Sequence, residues 1–197
     1  MNLSLVKALR RIGWGLVFVL FDLRLGIVDV LPDAIGYLMV AASLSGRSAL
    51  HPAFVWASRL GWIMVLLSLG EPFLTIPLTS LEETHPLYIH ALGQVFFVCN
   101  IIFTMLLCYG FEQLAKQWRS LDILQSIRSR RSLYAFFGVA LLIFYPFQFN
   151  MGMSEWFFAY MAGATLMALL GFLIMRVPFR LSRVKMSKKG GEIDVYG

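Results

Sequence analysis

The sequence contains little charge. Asp, Glu, Lys and Arg together make up 14% of its 197 residues, whereas an ordinary soluble domain carries about 25%. Disordered chains, coiled coils and cytosolic globules are excluded by this shortage together with a hydrophobic content of 59%. The mean hydropathy is +0.74. This composition indicates a multipass integral membrane protein.

Cysteine is also scarce, since the chain has only Cys99 and Cys108. Both fall in one predicted span, where a helix separates them by about 13 Å and turns them to opposite faces. They cannot form a disulfide with each other. The sequence contains no CxxC zinc signature, HExxH motif, P-loop or GxSxG motif. We therefore expect no catalytic residues, no metal and no cofactor, and do not expect an enzyme.

The long apolar runs predict an all-α fold, a polytopic transmembrane helix bundle. About 20 apolar residues are needed to cross a hydrocarbon core of about 30 Å. On this measure the chain has six spans, arranged as three hairpins with short loops. The predicted spans are residues 12–28, 31–46, 53–71, 87–110, 132–149 and 156–176.

The positions of lysine and arginine predict the orientation of these spans. With both termini in the cytoplasm, 16 of the 17 basic residues fall on the cytoplasmic side and only Arg24 falls outside, as the positive-inside rule requires. An alternative joins residues 12–46 into one crossing of about 52 Å that contains Pro32. It would move the basic N-terminal residues to the wrong side, so we favour six spans with both termini inside.

The basic residues lie at the ends of the predicted spans. The net charge is +6, but no basic patch is interleaved with aromatic residues, so nucleic acid is not an expected partner. We divide the chain into a transmembrane domain, residues 1–180, and a polar basic cytoplasmic tail, residues 181–197. Cationic residues around this boundary are expected to contact anionic lipid headgroups. They are Arg180, Arg183, Lys185, Lys188 and Lys189.

Two further features bear on the partners of the protein. Besides the lipid bilayer, small residues on helix faces are compatible with a membrane protein partner or a homo-oligomer. The main cytoplasmic loop, residues 111–131, contains the sequence LDILQSIRSRR. This stretch is typical of a short amphipathic helix on the membrane surface.

The segment 21–37 between the first two spans is unusually rich in charge. The uninterrupted apolar sequence from Ile12 to Phe21 is only ten residues long, which gives about 15 Å of helix. The chain therefore cannot reach the outer surface before Asp22. We expect Asp22 and Arg24 to lie within the membrane, where ionisable groups normally face protein or a wet cavity.

A candidate ion or solute site follows from this placement. Three carboxylates face a single arginine. A glutamate at the end of the third span either joins them from a neighbouring helix or lies in water at the interface. The site residues are Asp22, Arg24, Asp29, Asp33 and Glu71. Asp29 or Asp33 would carry the ion or proton, and Arg24 would compete for the carboxylate. The alternative is a capped, salt-bridged hairpin without chemistry.

Local signals describe the conformation of this segment. Pro32 and Asp33 are typical of the start of a helix, because proline is tolerated in the first turn and a carboxylate is stabilised there. Gly26 allows a sharp reversal of the chain. Gly36 would allow the second span to approach another helix closely.

The same segment carries a family resemblance. The run Asp29-Val-Leu-Pro-Asp33-Ala-Ile-Gly36-Tyr37 resembles a D-x-L-P-D-x-x-G-Y signature of multipass membrane proteins of Gram-positive bacteria whose activity is unassigned. The resemblance covers a short segment of the chain. It implies a location in the bacterial plasma membrane, and it adds no catalytic residues.

Two functions fit these observations. The first is a small transporter, or a transporter subunit, with an outer-leaflet acidic site for a cation, a proton or a polar solute. His90, Gln94 and Thr104 share a face of the fourth span, and this face could line a polar path or only make interhelical hydrogen bonds. The second is a membrane interaction, sensor or assembly protein that does not transport.

Overall fold

The protein folds into α-helices, as the composition predicts. The structure, a computed structural model, describes residues 3–20, 24–25, 28–29, 33–46, 50–74, 87–149, 153–186 and 193–194. Within them the helices are α1 (Leu3–Leu20), α2 (Asp33–Leu44), α3 (Pro52–Leu74), α4 (Leu87–Gln117), α5 (Leu121–Phe144), a 3₁₀ helix (Tyr145–Phe149) and α6 (Met153–Arg183).

Two very short antiparallel pairs accompany the helices. The strands β1 (Arg24–Leu25) and β2 (Val28–Asp29) pair between α1 and α2. The strands β3 (Lys185–Met186) and β4 (Ile193–Asp194) pair after α6. Each strand has two residues, so the helices make the fold.

Three of the helices are long and apolar enough to cross a membrane. The qualifying segments are Pro52–Leu69 in α3, His90–Gln117 in α4 and Met161–Arg183 in α6. Helix α2 is apolar but has only 12 residues, which is about 18 Å. Helices α1 and α5 carry several cations in their first halves. The fold is therefore all-α with three candidate spans, and the six-span arrangement stays a prediction.

The helices form a closed ring. Each helix packs mainly on the next one along the chain, and α6 returns to pack on α1. The interior is filled by large buried side chains, among them Tyr37, Phe54, Phe103 and Phe111. Tyr37 on α2 meets Phe103 on α4 edge to face, with ring centroids 5.5 Å apart. This contact across the ring ties α2 to α4.

Glycine residues allow α1 and α2 to cross in close contact. A Cβ atom added to Gly36 would lie 2.6 Å from the carbonyl oxygen of Gly15 and 2.6 Å from Val19 Cγ2. A Cβ atom at Gly15 would in turn lie 2.8 Å from the carbonyl oxygen of Gly36. The two backbones touch at this point because neither residue has a side chain. The prediction of a close helix contact at Gly36 is confirmed.

Several predicted boundaries differ from the structure. Helix α1 begins at Leu3, well before the predicted residue 12, because its basic N-terminal half is amphipathic and buries Ala8 and Leu9. The segment 121–131 is the first part of the continuous α5, and the prediction of a separate surface helix is wrong. Ile123 and Ile127 bury this segment in the bundle, so it packs on protein.

Candidate functional site

The predicted acidic site lies between α1 and α2. The backbone of Arg24 is paired opposite Asp29, and Leu25 opposite Val28, so β1 and β2 run in opposite directions. Asp33 is the first residue of α2, as the Pro-Asp signal predicts, and its side chain is half-buried.

The structure describes only part of the remaining residues of that site. Glu71 lies in α3, near the end of that helix. Asp22 and Gly26 lie outside the described residues. The structure therefore brings the backbones of Arg24 and Asp29 together, and the clustering of all five residues stays a prediction.

The predicted lipid-contacting cations lie at the end of α6. Arg180 and Arg183 occupy its last turn and are exposed. Lys185 is in β3, and Lys188 and Lys189 lie outside the described residues. Because α6 continues to Arg183, the helix runs three residues past the predicted domain boundary at 180.

Polar residues of α4 lie beside polar residues of α5 or of the 3₁₀ helix that follows it at three depths, and we call this set of residues the α4–α5 seam. At one end, His90 Nδ1 is hydrogen-bonded to Tyr145 Oη at 2.7 Å. In the middle, Thr104 of α4 and Tyr134 of α5 line the same cavity. Near the other end, Glu112 meets cations of α5. At 1.5 Å per residue, the seam from His90 to Glu112 is about 33 Å long, close to the thickness of a hydrocarbon core.

Glu112 is the buried charge of the seam. Its side chain is 3% exposed, and Arg131 Nη1 lies 2.6 Å from Glu112 Oε2. The other carboxylate oxygen, Oε1, accepts a hydrogen bond from Arg128 Nε at 2.9 Å and lies 3.2 Å from Lys116 Nζ. One carboxylate therefore serves three cations, and the cluster keeps a net positive charge.

A cavity of about 190 Å³ lies beside the middle of the seam, between α1, α4, α5 and α6. Most of its wall is apolar. Its polar groups are Asn100, Thr104 and Tyr134, and Thr104 Oγ1 donates to Asn100 Oδ1 at 3.4 Å. A cavity of this size with several polar partners can hold several water molecules or a small polar solute.

A second cationic contact joins α5 to α6. Arg130 Nη1 donates to the carbonyl oxygen of Leu173 at 2.5 Å. On α6, the guanidinium of Arg176 lies 4.6 Å from the centroid of the Phe172 ring. Together with the Glu112 cluster, these cations make one end of the bundle strongly basic.

Sequence reasoning found part of the seam and missed its charged end. The sequence predicts Thr104 and His90 on one polar face of the fourth span, and both take part in the seam. The sequence predicts a loop over residues 111–131 that contains Glu112, whereas α4 continues to Gln117. The available signal was a single glutamate four residues before Lys116, which is the spacing of a helical ion pair.

The described residues contain no group of three or more His, Cys, Asp or Glu side chains that could hold a metal ion. None of the protein families, curated proteins or solved structures compared with the chain matches it. The resemblance of residues 29–37 to a bacterial membrane-protein signature stays a prediction.

Proposed function

We propose that this protein is a small membrane transporter, or a subunit of one, for a proton, a cation or a small polar solute. The observation that carries the proposal is the cavity of about 190 Å³ with the polar groups of Asn100, Thr104 and Tyr134 in its wall. Polar side chains inside a bilayer are costly unless they pair or face a wet cavity. A bundle that only needed to be stable could fill this space with apolar side chains.

The ring supports a path through the bundle. Going along α4, the polar groups occur near its beginning at His90, beside the cavity at Thr104, and near its end at Glu112. Substrate would enter from the acidic hairpin, where Asp29 or Asp33 binds the cation or proton and Arg24 competes with it. It would leave at the basic cytoplasmic end, in a bacterial plasma membrane with both termini inside.

The proposal is tested by flux into liposomes that contain the purified protein. Proton entry is followed with a trapped pH dye, and entry of Na⁺ or K⁺ with ion-sensitive dyes. Tyr134→Phe removes one hydroxyl from the cavity wall with little change in shape, and Asp29→Asn removes one outer carboxylate. Both variants are expected to reduce flux at least ten-fold while the protein stays folded.

The matched control is Tyr88→Phe, because Tyr88 is a tyrosine on the same helix α4 with 59% of its surface exposed. Its flux should equal that of the unmodified protein. If the unmodified protein carries none of these ions, the hypothesis of proton or cation transport is wrong. If Tyr134→Phe and Asp29→Asn both transport normally, the cavity and the hairpin are not on the path.

The second candidate is a membrane interaction, sensor or assembly protein. It is favoured by the exposed cations Arg176, Arg180 and Arg183 at one end of α6, which form a surface suited to an acidic partner. Deleting residues 184–197 and replacing Arg180 and Arg183 by Gln should then remove copurifying proteins. An unchanged set of copurifying proteins would count against this candidate.

A further inference from the structure

The cavity beside the α4–α5 seam has a polar side and an apolar side. Its polar groups, those of Asn100, Thr104 and Tyr134, belong to α4 and α5, whereas every side chain that α1 and α6 contribute to the described wall is apolar. The wall is therefore amphipathic. An occupant that matches it has one polar group on a larger apolar body.

Water alone is a poor occupant of this cavity. Its volume of about 190 Å³ has room for several water molecules, and each ordered water needs about two to four polar partners. Three polar side chains on one side of the wall supply too few partners for a full set of waters. A solute that turns an apolar part toward α1 and α6 needs fewer of them.

The size of the cavity and its side chains suit a ring. An apolar cavity of about 150 Å³ holds a benzene molecule, and this cavity is somewhat larger. Phe97 and Phe103 supply aromatic surface for ring contacts. Met167 and Met175 supply flexible thioethers, which pack favourably on aromatic rings. A six-membered ring with a small substituent therefore fits.

Asn100 has hydrogen-bonding capacity that the protein leaves unused. Its Oδ1 atom accepts from Thr104 Oγ1 at 3.4 Å, which is a long hydrogen bond. The structure shows no hydrogen bond from its Nδ2 group to a described residue, and the residue is half-buried in the wall. A solute hydroxyl can accept from the Asn100 amide and donate to the Thr104 oxygen.

The wall does not favour an ion. None of the described residues that line the cavity carries a charge. Along α4 the next charged residue is Glu112, about 12 Å beyond Thr104 at 1.5 Å per residue. An ion without a counter-charge is costly in a protein interior, so the cavity should prefer a neutral solute to a cation.

The cavity is also partly open. Ala168 lies in its wall and is exposed on α6, within the candidate span Met161–Arg183. A bilayer around α6 would bring lipid-dissolved neutral solutes to this wall, whereas ions are excluded from the hydrocarbon core.

We infer that this cavity binds a small neutral aromatic hydroxyl compound, of which phenol is the simplest, with its ring against α1 and α6 and its hydroxyl on Asn100 and Thr104. The inference rests on the proposed function, because it selects the neutral solute among the proposed substrates. Binding is measured separately from flux, so the two can fail independently.

The test compares three fluorinated rings of similar size by ¹⁹F NMR, with the purified full-length protein in lipid nanodiscs. 4-Fluorophenol is neutral at pH 7 because phenols titrate near pH 10, 4-fluorobenzylammonium is a cation, and fluorobenzene has no hydroxyl. We expect 4-fluorophenol to bind most tightly and the ammonium compound not to bind. Nanodiscs without protein correct for partition into lipid.

Two variants remove the polar contacts one at a time. Asn100→Leu replaces the amide by an apolar side chain of similar size, and Thr104→Val replaces the hydroxyl by a methyl group. Each should weaken the binding of 4-fluorophenol roughly ten-fold, as loss of a hydrogen bond does. Each should leave the affinity for fluorobenzene unchanged, a difference that general damage to the fold would not produce.

Two control variants match these substitutions. Gln113→Leu removes a half-buried amide from α4, and Thr165→Val removes an exposed hydroxyl from α6. Neither residue lines the cavity, so both should bind as the unmodified protein does. Melting temperatures without ligand show whether each variant is folded. If one cavity variant does not fold, the other decides.

The inference is overturned if 4-fluorophenol does not bind, if the ammonium compound binds as tightly, or if both cavity variants keep full affinity for 4-fluorophenol. Binding of 4-fluorophenol without its flux into liposomes would support the inference and count against the proposed function. Flux of a cation without binding of 4-fluorophenol would do the reverse.

Discussion

Glu112 is the buried carboxylate that partly balances the three cations around it. It is almost fully buried and lies within hydrogen-bond or ion-pair distance of Lys116, Arg128 and Arg131. Burial of a carboxylate is tolerated only when cations and hydrogen bonds compensate for the lost water. Removing the carboxylate would leave three like charges close together, and this repulsion would act across the α4–α5 turn.

We therefore expect Glu112→Gln to lower the free energy of unfolding by about 3 kcal/mol, the low end of the range for breaking a buried ion pair. Asp122→Asn, which changes an exposed carboxylate on the adjacent turn, should change it by less than about 0.5 kcal/mol. Denaturant melts of the purified protein in detergent measure both. Equal stability of the two variants would show that the Glu112 cluster is not stabilising.

The close helix contact at Gly36 gives a second prediction about a single residue. Gly36→Val would force a branched side chain into the space occupied by the Gly15 carbonyl and Val19, and overpacking of this kind costs about 1–3 kcal/mol. Gly93→Ala is the control, because nothing lies within 4 Å of a Cβ atom there and alanine favours the helix. Thermal melts should show a lower melting temperature for the first variant only.

Individual residues could be predicted from the sequence where the signal was local. The start of α2 at Asp33 followed from the preceding proline, and the close contact at Gly36 followed from the absence of a side chain. The free state of Cys99 and Cys108 followed from helix geometry. The partners of Glu112 could not be predicted, because Arg128 and Arg131 reach it only after the chain turns at residues 118–120.

At the scale of elements, α4 and α5 are the best-connected pair. They run antiparallel, and along their seam His90 is hydrogen-bonded to Tyr145 and Thr104 and Tyr134 lie in the wall of one cavity. The turn between them contains neither glycine nor proline, and Arg119 adopts the left-handed conformation in their place.

The ion pairs of this helix pair should differ in strength according to their burial. Arg131 is 24% exposed and lies 2.6 Å from Glu112, whereas Lys116 is 39% exposed at 3.2 Å. We expect Arg131→Ala to lower the free energy of unfolding more than Lys116→Ala, which should cost at most about 1 kcal/mol as an exposed pair does. Double-mutant cycles with Glu112→Gln measure the two coupling energies. A larger coupling for Lys116 would contradict this order.

Helix boundaries were predicted well where hydropathy changes abruptly and poorly where it does not. The third span was predicted at 53–71, and α3 runs from Pro52 to Leu74. Helices α1 and α5 extend far into charged sequence. A hydropathy criterion ends a helix at its last apolar run, although the backbone hydrogen bonds continue wherever one face of the helix is buried.

At the scale of the whole molecule, the closed ring is compatible with six spans and both termini inside. The orientation of the spans is tested in a variant in which alanine replaces Cys99 and Cys108. Single cysteines are then introduced into this variant at exposed positions. We expect Ser4→Cys and Ser129→Cys to resist a membrane-impermeant maleimide in intact cells and to react after permeabilisation. Tyr88→Cys should react in both conditions, because the predicted orientation puts this end of α4 outside.

Reaction of Ser4→Cys in intact cells would place the N-terminus outside and contradict the hairpin of α1 and α2. The structure keeps these two helices separate, and the shortness of α2, 12 residues, agrees with the length argument made from the sequence. Sequence reasoning could locate the acidic hairpin because its charges interrupt an apolar run. It could not locate the cavity, whose wall combines residues of four helices that are distant in the chain.

The return of α6 to α1 has a consequence for synthesis. The ribosome completes α1 to α5 before α6 emerges, so the face of α1 that Phe179 later covers stays uncovered until then. Trp14 packs edge to face on Phe179, with ring centroids 5.9 Å apart. It therefore belongs to this face of α1. Assembly intermediates of this kind expose apolar surface. Chains arrested before residue 153 should therefore be the ones most readily captured by chaperones and degraded by proteases.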